Sequence, residues 1–474
     1  MSVQKILIVR LPCKKVFPTG PVYLLSLIKR TAPETRMGLL DLALVQNRDH
    51  LRVLDEAVRE QRPDLIAFSW RDIQIFSPQD MDSAMRDAFV FFYDPSPIRK
   101  AGAAFRDLAH IFSYRSSIAH NFSLIRRAAV SFPSPGIALG GSGVRIFHQW
   151  LSRKIPPRVK VFPEADLGAF FDLLGVTAPE DSVEPGIDLE TLENAFPQWR
   201  AYAREPVGIQ TKRGCPQGCL FCLYGFLEGK TVARRSPDFV VREIKAYSDR
   251  WGARRFWFAD AQLLSEPPDR PHLAEILGGI LRARLDIEWS GYLRISEIDR
   301  ELASLMTRSG LQELEVSLSS GSQTVVDRLR LGFTVEDTVR GCGALKEAGY
   351  EGRILLNLSL NAPGETRETL RETMAAVRRI EGIFGRARVV PVVFFLAIQP
   401  HTGLEREAIG DGYLRAGYNP LSVSPAAVRK LIYNPPPLDR MIGRAVTKAF
   451  AAETEGAGAG ILSLLEGELE RSRG

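Results

Sequence analysis

The 474-residue sequence predicts an α/β protein: a doubly wound, flavodoxin- or Rossmann-like domain followed by a partial (β/α)6 barrel of the TIM type. Three observations carry this. Short apolar runs alternate with stretches of helical period through residues 3–175. The alternation weakens over 176–206 in a Pro- and acid-rich stretch that reads as a linker, and from 207 to 405 strand and helix repeat six times. Alternation of this kind favours parallel sheets covered by helices, with ligands held outside the carboxyl ends of the strands.

In the first half, Ile6–Val9 reads as a buried strand, Tyr23–Arg30 as a helix, Met37–Asp41 and Asp64–Ser69 as the second and third strands. Gly136–Gly141 is expected as a fourth strand running into a glycine turn, and Val159–Phe162 as a fifth, followed by a helix from Asp166. Residues 73–135 are long for one crossover and carry several helical stretches, so a helical insert is expected there. In the second half, strands are expected at Val207–Thr211, Phe256–Phe258, Ile287–Trp289, Leu314–Leu318, Ile354–Leu358 and Val389–Phe395. Ser236-Pro237 opens a helix with Val240, Ile244 and Tyr247 at helical spacing. Residues 406–474 are expected to form a helical tail, with a flexible joint at 455–460 and a short helix over Ile461–Leu469.

Composition is that of an ordinary globular chain, 45% hydrophobic and 25% charged. The longest uncharged candidate for a membrane span, Val389–Leu404, is interrupted by Pro391 and Pro400, so no transmembrane segment is expected. The N-terminus enters a strand-like run without a signal-peptide pattern, which makes the cytoplasm the expected compartment. The net charge of +6 comes from 62 basic against 56 acidic residues. The basic residues are mostly Arg and lie interspersed with acidic neighbours, so no nucleic-acid partner is expected.

Cys215, Cys219 and Cys222 stand apart in Gly214-Cys-Pro-Gln-Gly-Cys-Leu-Phe-Cys222. A structural zinc site wants four ligands, commonly as two C-x-x-C arms, and here there is no second arm and no histidine nearby. Three close thiolates can hold three irons of a four-iron cluster and leave the fourth open to a non-protein ligand. The other cysteines, Cys13 and Cys342, read as packing or incidental residues.

The C-x3-C-x2-C spacing, with aromatic Phe221 before the last cysteine, resembles the radical-SAM superfamily. That resemblance implies a 4Fe-4S cluster whose open iron is chelated by S-adenosylmethionine (SAM), which one-electron reduction cleaves to a carbon-centred radical. Further matches lie after the expected barrel strands: Phe258-Ala-Asp-Ala261, Ser317-Leu-Ser-Ser-Gly-Ser-Gln323 and the Pro-Gly-Glu-Thr turn within Asn361–Thr366. The resemblance makes Phe221, Asp260, Arg294, Ser319, Ser320 and Gly321 candidates for SAM contact. Ser319 stands where many members carry a glutamate, which puts a ribose contact by that carboxylate in doubt. Asn357 and Ser359, polar in an apolar strand, are expected to face the barrel lumen, because a buried polar group needs a partner.

The first half resembles the cobalamin-binding domain that precedes the barrel in one large radical-SAM class. The matching pieces are Phe17–Leu24, Arg62–Ala67, Leu139-Gly-Gly141 and Val161–Asp166. None of the six histidines lies in an Asp-x-His-x-x-Gly motif, so a histidine-free lower face of cobalt is expected. The candidates for cobalamin contact are Trp70 and Arg71 after the third strand, with Gly140, Gly141 and Ser142 at the glycine turn.

These resemblances imply a radical-SAM enzyme with a 4Fe-4S cluster, SAM and cobalamin, methylating an unactivated carbon of a small-molecule, lipid, pigment or peptide substrate. A flavodoxin- or ferredoxin-type reductant is the implied partner. The alternative is a cyclase, rearrangement or hydroxylation enzyme of the same class without methyl transfer. The expected organisation is a cobalamin-binding domain over 1–175, a linker over 176–206, the barrel over 207–405 and the tail over 406–474.

Overall fold

The computed structural model describes residues 3–71, 81–163, 167–179, 184–186, 188–422, 425–451 and 457–471. Its strands, in chain order, are β1 Lys5–Arg10, β2 Arg36–Asp41, β3 Leu65–Ser69, β4 Gly136–Gly140, β5 Val159–Val161, β6 Val207–Ile209, β7 Lys212–Arg213, β8 Ala233–Arg234, β9 Arg255–Phe258, β10 Glu288–Leu293, β11 Leu311–Ser319, β12 Arg353–Leu360 and β13 Val389–Phe395. The first five form one sheet in the order β2-β1-β3-β4-β5, and a second sheet runs β13-β12-β11-β10-β9-β6. Both expected α/β layers are present. By contact density the chain divides into two compact units, Met1–Gln79, Ser113–Arg213 and Ala233–Trp257 in the first, and Asp80–Phe112, Gly214–Val232 and Phe258–Gly474 in the second.

In the first unit, β1 pairs in parallel with β2 on one side and β3 on the other, so that Ile8 lies opposite both Leu39 and Ala67. Leu7, Val9, Ile66 and Leu139 are fully buried. Strands covered on both faces read as continuous apolar runs, which is why the period could be recognised in the sequence. The order 2-1-3-4-5 reverses direction between β1 and β3, and the crevice outside the carboxyl ends at such a switch is where open α/β sheets hold ligands.

Buried charges stitch this unit together. Arg10 and Asp41, at the carboxyl ends of β1 and β2, form an ion pair at 2.8 Å with side chains 1% and 0% exposed. Tyr202 donates to the same carboxylate at 2.6 Å. A second cluster joins Arg235 to Glu243 at 2.6 Å and to Glu184 at 3.4 Å. The stretch expected as a linker contains a helix, Leu189–Ala195, whose Asp188 caps the amides of Glu190 and Thr191, and a 3-10 turn over Pro197–Tyr202. Seven residues make too short a helix to show a period in sequence. Asp72, Glu164–Asp166 and residues 180–183, which belong to the expected cobalamin loop, late turn and linker, lie outside the described residues, and the helix expected from Asp166 runs over Gly168–Leu174.

In the second unit, β10 to β13 are parallel neighbours. Burial alternates along them. Trp289 and Leu293, Leu314 and Val316, and Leu356 and Leu358 are buried, while Tyr292, Glu315 and Asn357 on the opposite face are half-buried. Strand β10 runs four residues beyond the expected end at Trp289, because Gly291 lets it lie close to its neighbours: a Cβ there would stand 2.9 Å from Leu263 and 3.2 Å from the Phe258 carbonyl oxygen. Helix Met81–Tyr93, expected in the insert, packs on helix Asp439–Ala451 of the tail, where a Cβ on Gly443 would strike the Tyr93 ring at 2.4 Å. Helix Ala457–Arg471 lies on β13, its Gly458 backed against the Pro391 carbonyl. Of the joint expected over 455–460, residues 455 and 456 lie outside the described residues, while 457–460 form the first turn of helix Ala457–Arg471, which therefore starts four residues before the expected Ile461. Among the described residues no helix is long and apolar enough to cross a membrane.

Candidate functional site

The cysteine segment is a loop of the second unit whose shape is set by glycine. Gly214 has φ +95°, and a Cβ there would lie 2.1 Å from the Thr231 carbonyl oxygen, so the two ends of the loop meet only because this residue has no side chain. The Gly214 amide donates to Glu228 at 3.2 Å and the Cys215 amide to the Gly229 carbonyl at 3.0 Å. Leu220, between the second and third cysteines, donates its amide to Leu329 at 2.9 Å and accepts from the Leu404 amide at 2.7 Å. Gly403 allows that approach, since a Cβ on it would stand 2.7 Å from the Leu220 side chain. Phe226 stacks on His401 with centroids 4.1 Å apart and rings 9° from parallel. The loop is thereby held from two sides of the barrel mouth.

None of the three cysteines is in a disulfide; Cys215 is buried and Cys219 and Cys222 are half-buried. Burial, then the neighbouring Cys222 and Cys215, push the Cys219 thiol up to about 12, and the Arg294 guanidinium acts in the opposite direction. Cys222 is also raised by burial, while the Tyr224 amide, 3.5 Å from its sulfur, favours the thiolate. Three thiolates this close are costly without a cation to share them. Among the described residues no three His, Cys, Asp or Glu side chains converge on a single metal ion. A cubane does not require that, because each thiolate binds a different iron. The chemistry of this donor set therefore fits a cluster with one open iron.

The residues expected to contact SAM gather after the barrel strands, and several are already engaged. Arg294 is half-buried, donates to the Leu331 carbonyl at 2.9 Å and acts electrostatically on Cys219. Asp260 is buried just beyond β9, and Phe221 is half-buried in the cysteine loop. Ser319 ends β11 at φ +59°, and its carbonyl accepts from the Ser359 hydroxyl at 3.0 Å. The Ser320 hydroxyl pairs with Thr373 of helix Arg367–Phe384 at 3.0 Å, and Gly321 donates its amide to the same threonine while lying flush on that helix. Asn357 donates to Glu315 at 3.3 Å. In the Pro-Gly-Glu-Thr turn, Asn361 adopts φ +50° and bonds to Asn434 and Pro435, and burial lifts the Glu365 carboxyl to about 7. Among the described residues, the buried polar atoms without a hydrogen-bond partner include Gln262 Oε1, Ser296 Oγ, Ser322 Oγ and Gln399 Oε1. They follow β9, β10, β11 and β13 by a few residues each. Orphaned groups at the carboxyl ends of successive strands suit a polar ligand such as SAM.

In the first unit, the five residues expected at cobalamin form one knot where β3 and β4 end. The Trp70 amide donates to the Gly140 carbonyl at 2.8 Å, and the Gly143 amide to the Trp70 carbonyl at 3.0 Å. Gly141 has φ +106°, and a Cβ there would stand 2.5 Å from the Trp70 carbonyl oxygen. The Ser142 hydroxyl donates to the carbonyl of exposed Arg71. Trp70 is 1% exposed, packs edge-on against Phe122 and leaves its indole N–H without a partner. The buried His50 has both ring nitrogens occupied, by His120 at 2.9 Å and by the Val45 carbonyl at 2.9 Å. An orphaned donor beside the sheet's switch point, with this imidazole engaged elsewhere, fits a cofactor bound without histidine ligation.

Sequence reasoning missed Gly214, Leu220, Gly403 and the Phe226–His401 stack, which shape the cysteine loop, and Glu315 on the open face of the barrel sheet. One signal was present. The strict polar and apolar alternation from Glu313 to Leu318 in β11 is that of a strand with one wet face.

A family model described as the Radical SAM superfamily matches residues 209–377. Among curated proteins, an uncharacterized methyltransferase of Pyrococcus horikoshii is 23% identical over 177 residues, 37% of this chain and 38% of its own length. A bacteriochlorophyllide d C-12(1)-methyltransferase of Chlorobaculum tepidum is 28% identical over 129 residues, 27% of each chain. A tRNA-2-methylthio-N(6)-dimethylallyladenosine synthase of Pelobacter propionicus is 24% identical over 293 residues, 59% of this chain and 63% of its own. The chain thus spans less than two thirds of these curated relatives. Among solved structures, the radical SAM methyltransferase TsrM from Kitasatospora setae, with cobalamin and a 4Fe-4S cluster bound, superposes with a TM-score of 0.62 at 16% identity over 98% of this chain and 89% of that one. The cobalamin-dependent SAM radical enzyme OxsB gives a TM-score of 0.55 at 13% identity, covering 91% and 57%.

Proposed function

With residues 209–377 a Radical SAM superfamily domain, we propose that this protein is a cobalamin-dependent radical SAM methyltransferase acting on an unactivated carbon. The observation that carries the reading is the trio Cys215, Cys219 and Cys222 on a glycine-closed loop within that domain. The domain implies a 4Fe-4S cluster and SAM; when bound, these supply a hydrogen-abstracting radical, and cobalamin supplies the methyl group.

The chain's own task is to hold and orient. Cys215, Cys219 and Cys222 hold the cluster, and the Leu220 anchors keep their spacing. Arg294 offers its planar fork to the SAM carboxylate, while Phe221, Asp260, Ser319, Ser320, Gly321, Asn357 and Ser359 line the remainder of that site. Trp70, Arg71, Gly140, Gly141 and Ser142 receive cobalamin within residues 1–175. The barrel over 207–405 takes a small-molecule, lipid, pigment or peptide substrate, a flavodoxin- or ferredoxin-type protein delivers the electron, and the cytoplasm is the working compartment. Support for the methyl-transfer outcome comes from the fold shared with TsrM and from the methyltransferases among the relatives.

The test begins with anaerobic reconstitution, which should give about four irons and four sulfides per chain, lost in the triple Cys215→Ala, Cys219→Ala, Cys222→Ala variant. Bound cob(II)alamin should show no imidazole-nitrogen splitting in its paramagnetic resonance spectrum. Methyl-labelled SAM should then place label in product and yield S-adenosylhomocysteine and 5'-deoxyadenosine in similar amounts. Full iron content in the triple variant, or no cobalamin binding by wild type, refutes the reading.

A further inference from the structure

The open face of the barrel sheet holds a carboxylate with an unusual set of neighbours. Glu315 lies in the middle of β11, its Cα opposite Tyr292 of β10 and Leu355 of β12. Its side chain shares the half-buried face with Tyr292 and Asn357, and Asn357 Nδ2 donates to Glu315 Oε2 at 3.3 Å. One step back along the same face, Glu313 has Arg353 as a cation at 3.7 Å. Among the described residues the groups in electrostatic reach of Glu315 are Asn357, Glu313 and Tyr292, none of them a cation. Burial holds its carboxyl above the ordinary range, opposed by Asn357 and reinforced by Glu313.

A half-buried carboxylate that is aligned but not neutralised costs stability. The neighbouring positions show that the sheet can neutralise a glutamate with an arginine. Glu315 instead lies on the half-buried face of the sheet, where Asn357 of β12 is its donor among the described residues, and its second oxygen can take a group that arrives from outside. An ammonium or guanidinium-type cation complements that arrangement better than a neutral donor, because it also removes the repulsion from Glu313.

We propose that Glu315, aligned by Asn357, anchors a protonated-nitrogen group on the substrate, so that the substrate is an amine-bearing molecule rather than a neutral lipid. This rests on the reading that the barrel lumen receives the substrate. Glu315 is a positioning residue, and it sets which end of the substrate enters first.

The test uses the reconstituted full-length protein and three fluorinated probes read by fluorine NMR: 4-fluorobenzylamine, 4-fluorobenzyl alcohol and 4-fluorotoluene. At a pH of about 8 the amine should bind wild type roughly tenfold more tightly than the toluene, the yield of one charge-assisted hydrogen bond. In Glu315→Gln the amine preference should fall to within about twofold, while Glu315→Asp should keep part of it. Acidification should abolish the wild-type preference as Glu315 takes up its proton. Iron content should be unchanged in both variants and is scored separately from probe binding: absence of iron or of SAM binding in wild type refutes the cofactor reading and leaves the amine comparison intact. No amine preference in wild type, the same preference in Glu315→Gln, or equal binding of amine and alcohol overturns the proposal.

Discussion

Replacing Arg235 by Met should destabilise the first unit strongly, and its cost can be worked from the contacts. The guanidinium lies 2.6 Å from Glu243 and 3.4 Å from Glu184, with side chains 2%, 3% and 12% exposed. It also donates to the Tyr23 hydroxyl at 3.0 Å and the Gln210 carbonyl at 2.7 Å. Its loss orphans a part-buried carbonyl, worth about 1 kcal/mol, and leaves Glu243 buried without that cation. Together these amount to about 3–5 kcal/mol, the usual consequence of breaking a buried pair from one side. Against a stability of about 5–15 kcal/mol, that should lower the urea midpoint of this unit by about 1–2 M. Five of the six tryptophans, Trp70, Trp150, Trp199, Trp251 and Trp257, fall in the first unit, so fluorescence reports its unfolding. The pH dependence has a definite sign. Burial raises the Glu243 carboxyl, and Arg235 pulls it back. A raised carboxyl contributes stability below its unfolded pKa and loses it as pH rises through the folded value. Removing Arg235 moves that folded value further up, so the variant should be closest to wild type near pH 5 and weakest near pH 8. The double variant Arg235→Met, Glu243→Met should recover at least half of the loss, because an apolar pair leaves no uncompensated charge. A midpoint change under about 0.3 M, or one equal at the two pH values, would refute this account.

Gly214→Ala places a methyl 2.1 Å from the Thr231 carbonyl oxygen at φ +95°. It should cost about 2–4 kcal/mol locally and cut reconstituted iron below half of wild type, whereas Gly218→Ala, with open space around its Cβ, should leave iron content unchanged. Glu365→Gln should stabilise the second unit above neutral pH and change little near pH 5, because burial raises this carboxyl to about 7 and its contribution is lost as pH rises through that value. Urea titrations at the two pH values check the sign. Cys342 is fully buried in helix Val335–Glu347; Cys342→Ala should lower stability by about 1–2 kcal/mol with iron content intact, and loss of iron would break the division between cluster and packing thiols.

The sequence by itself determined the features whose physical cause is local. Parallel strands buried on both faces must be continuous apolar runs, so β1 and β3 could be located within a residue of their ends, and their alternation with helices set the α/β class. Three cysteines within eight positions, without a second arm, were legible as a candidate ligand set because their spacing is local. The glycine turn at Gly140 and Gly141 was visible for the same reason, although the carbonyl of Trp70 that forbids a side chain there was not. Tertiary structure decided whatever depends on residues far apart in the chain. Arg10 meets Tyr202, Arg235 meets Tyr23, and Leu220 is held between Leu329 and Leu404. Helix Met81–Tyr93 packs on Asp439–Ala451 although more than three hundred residues separate them. Glu315 is one more strand glutamate until the register of β10, β11 and β12 sets it beside Tyr292 and Asn357. No periodicity encodes such meetings, because a buried polar group is satisfied by whichever partner the folded chain brings within about 3 Å, and that partner is selected by topology, not by neighbourhood in sequence.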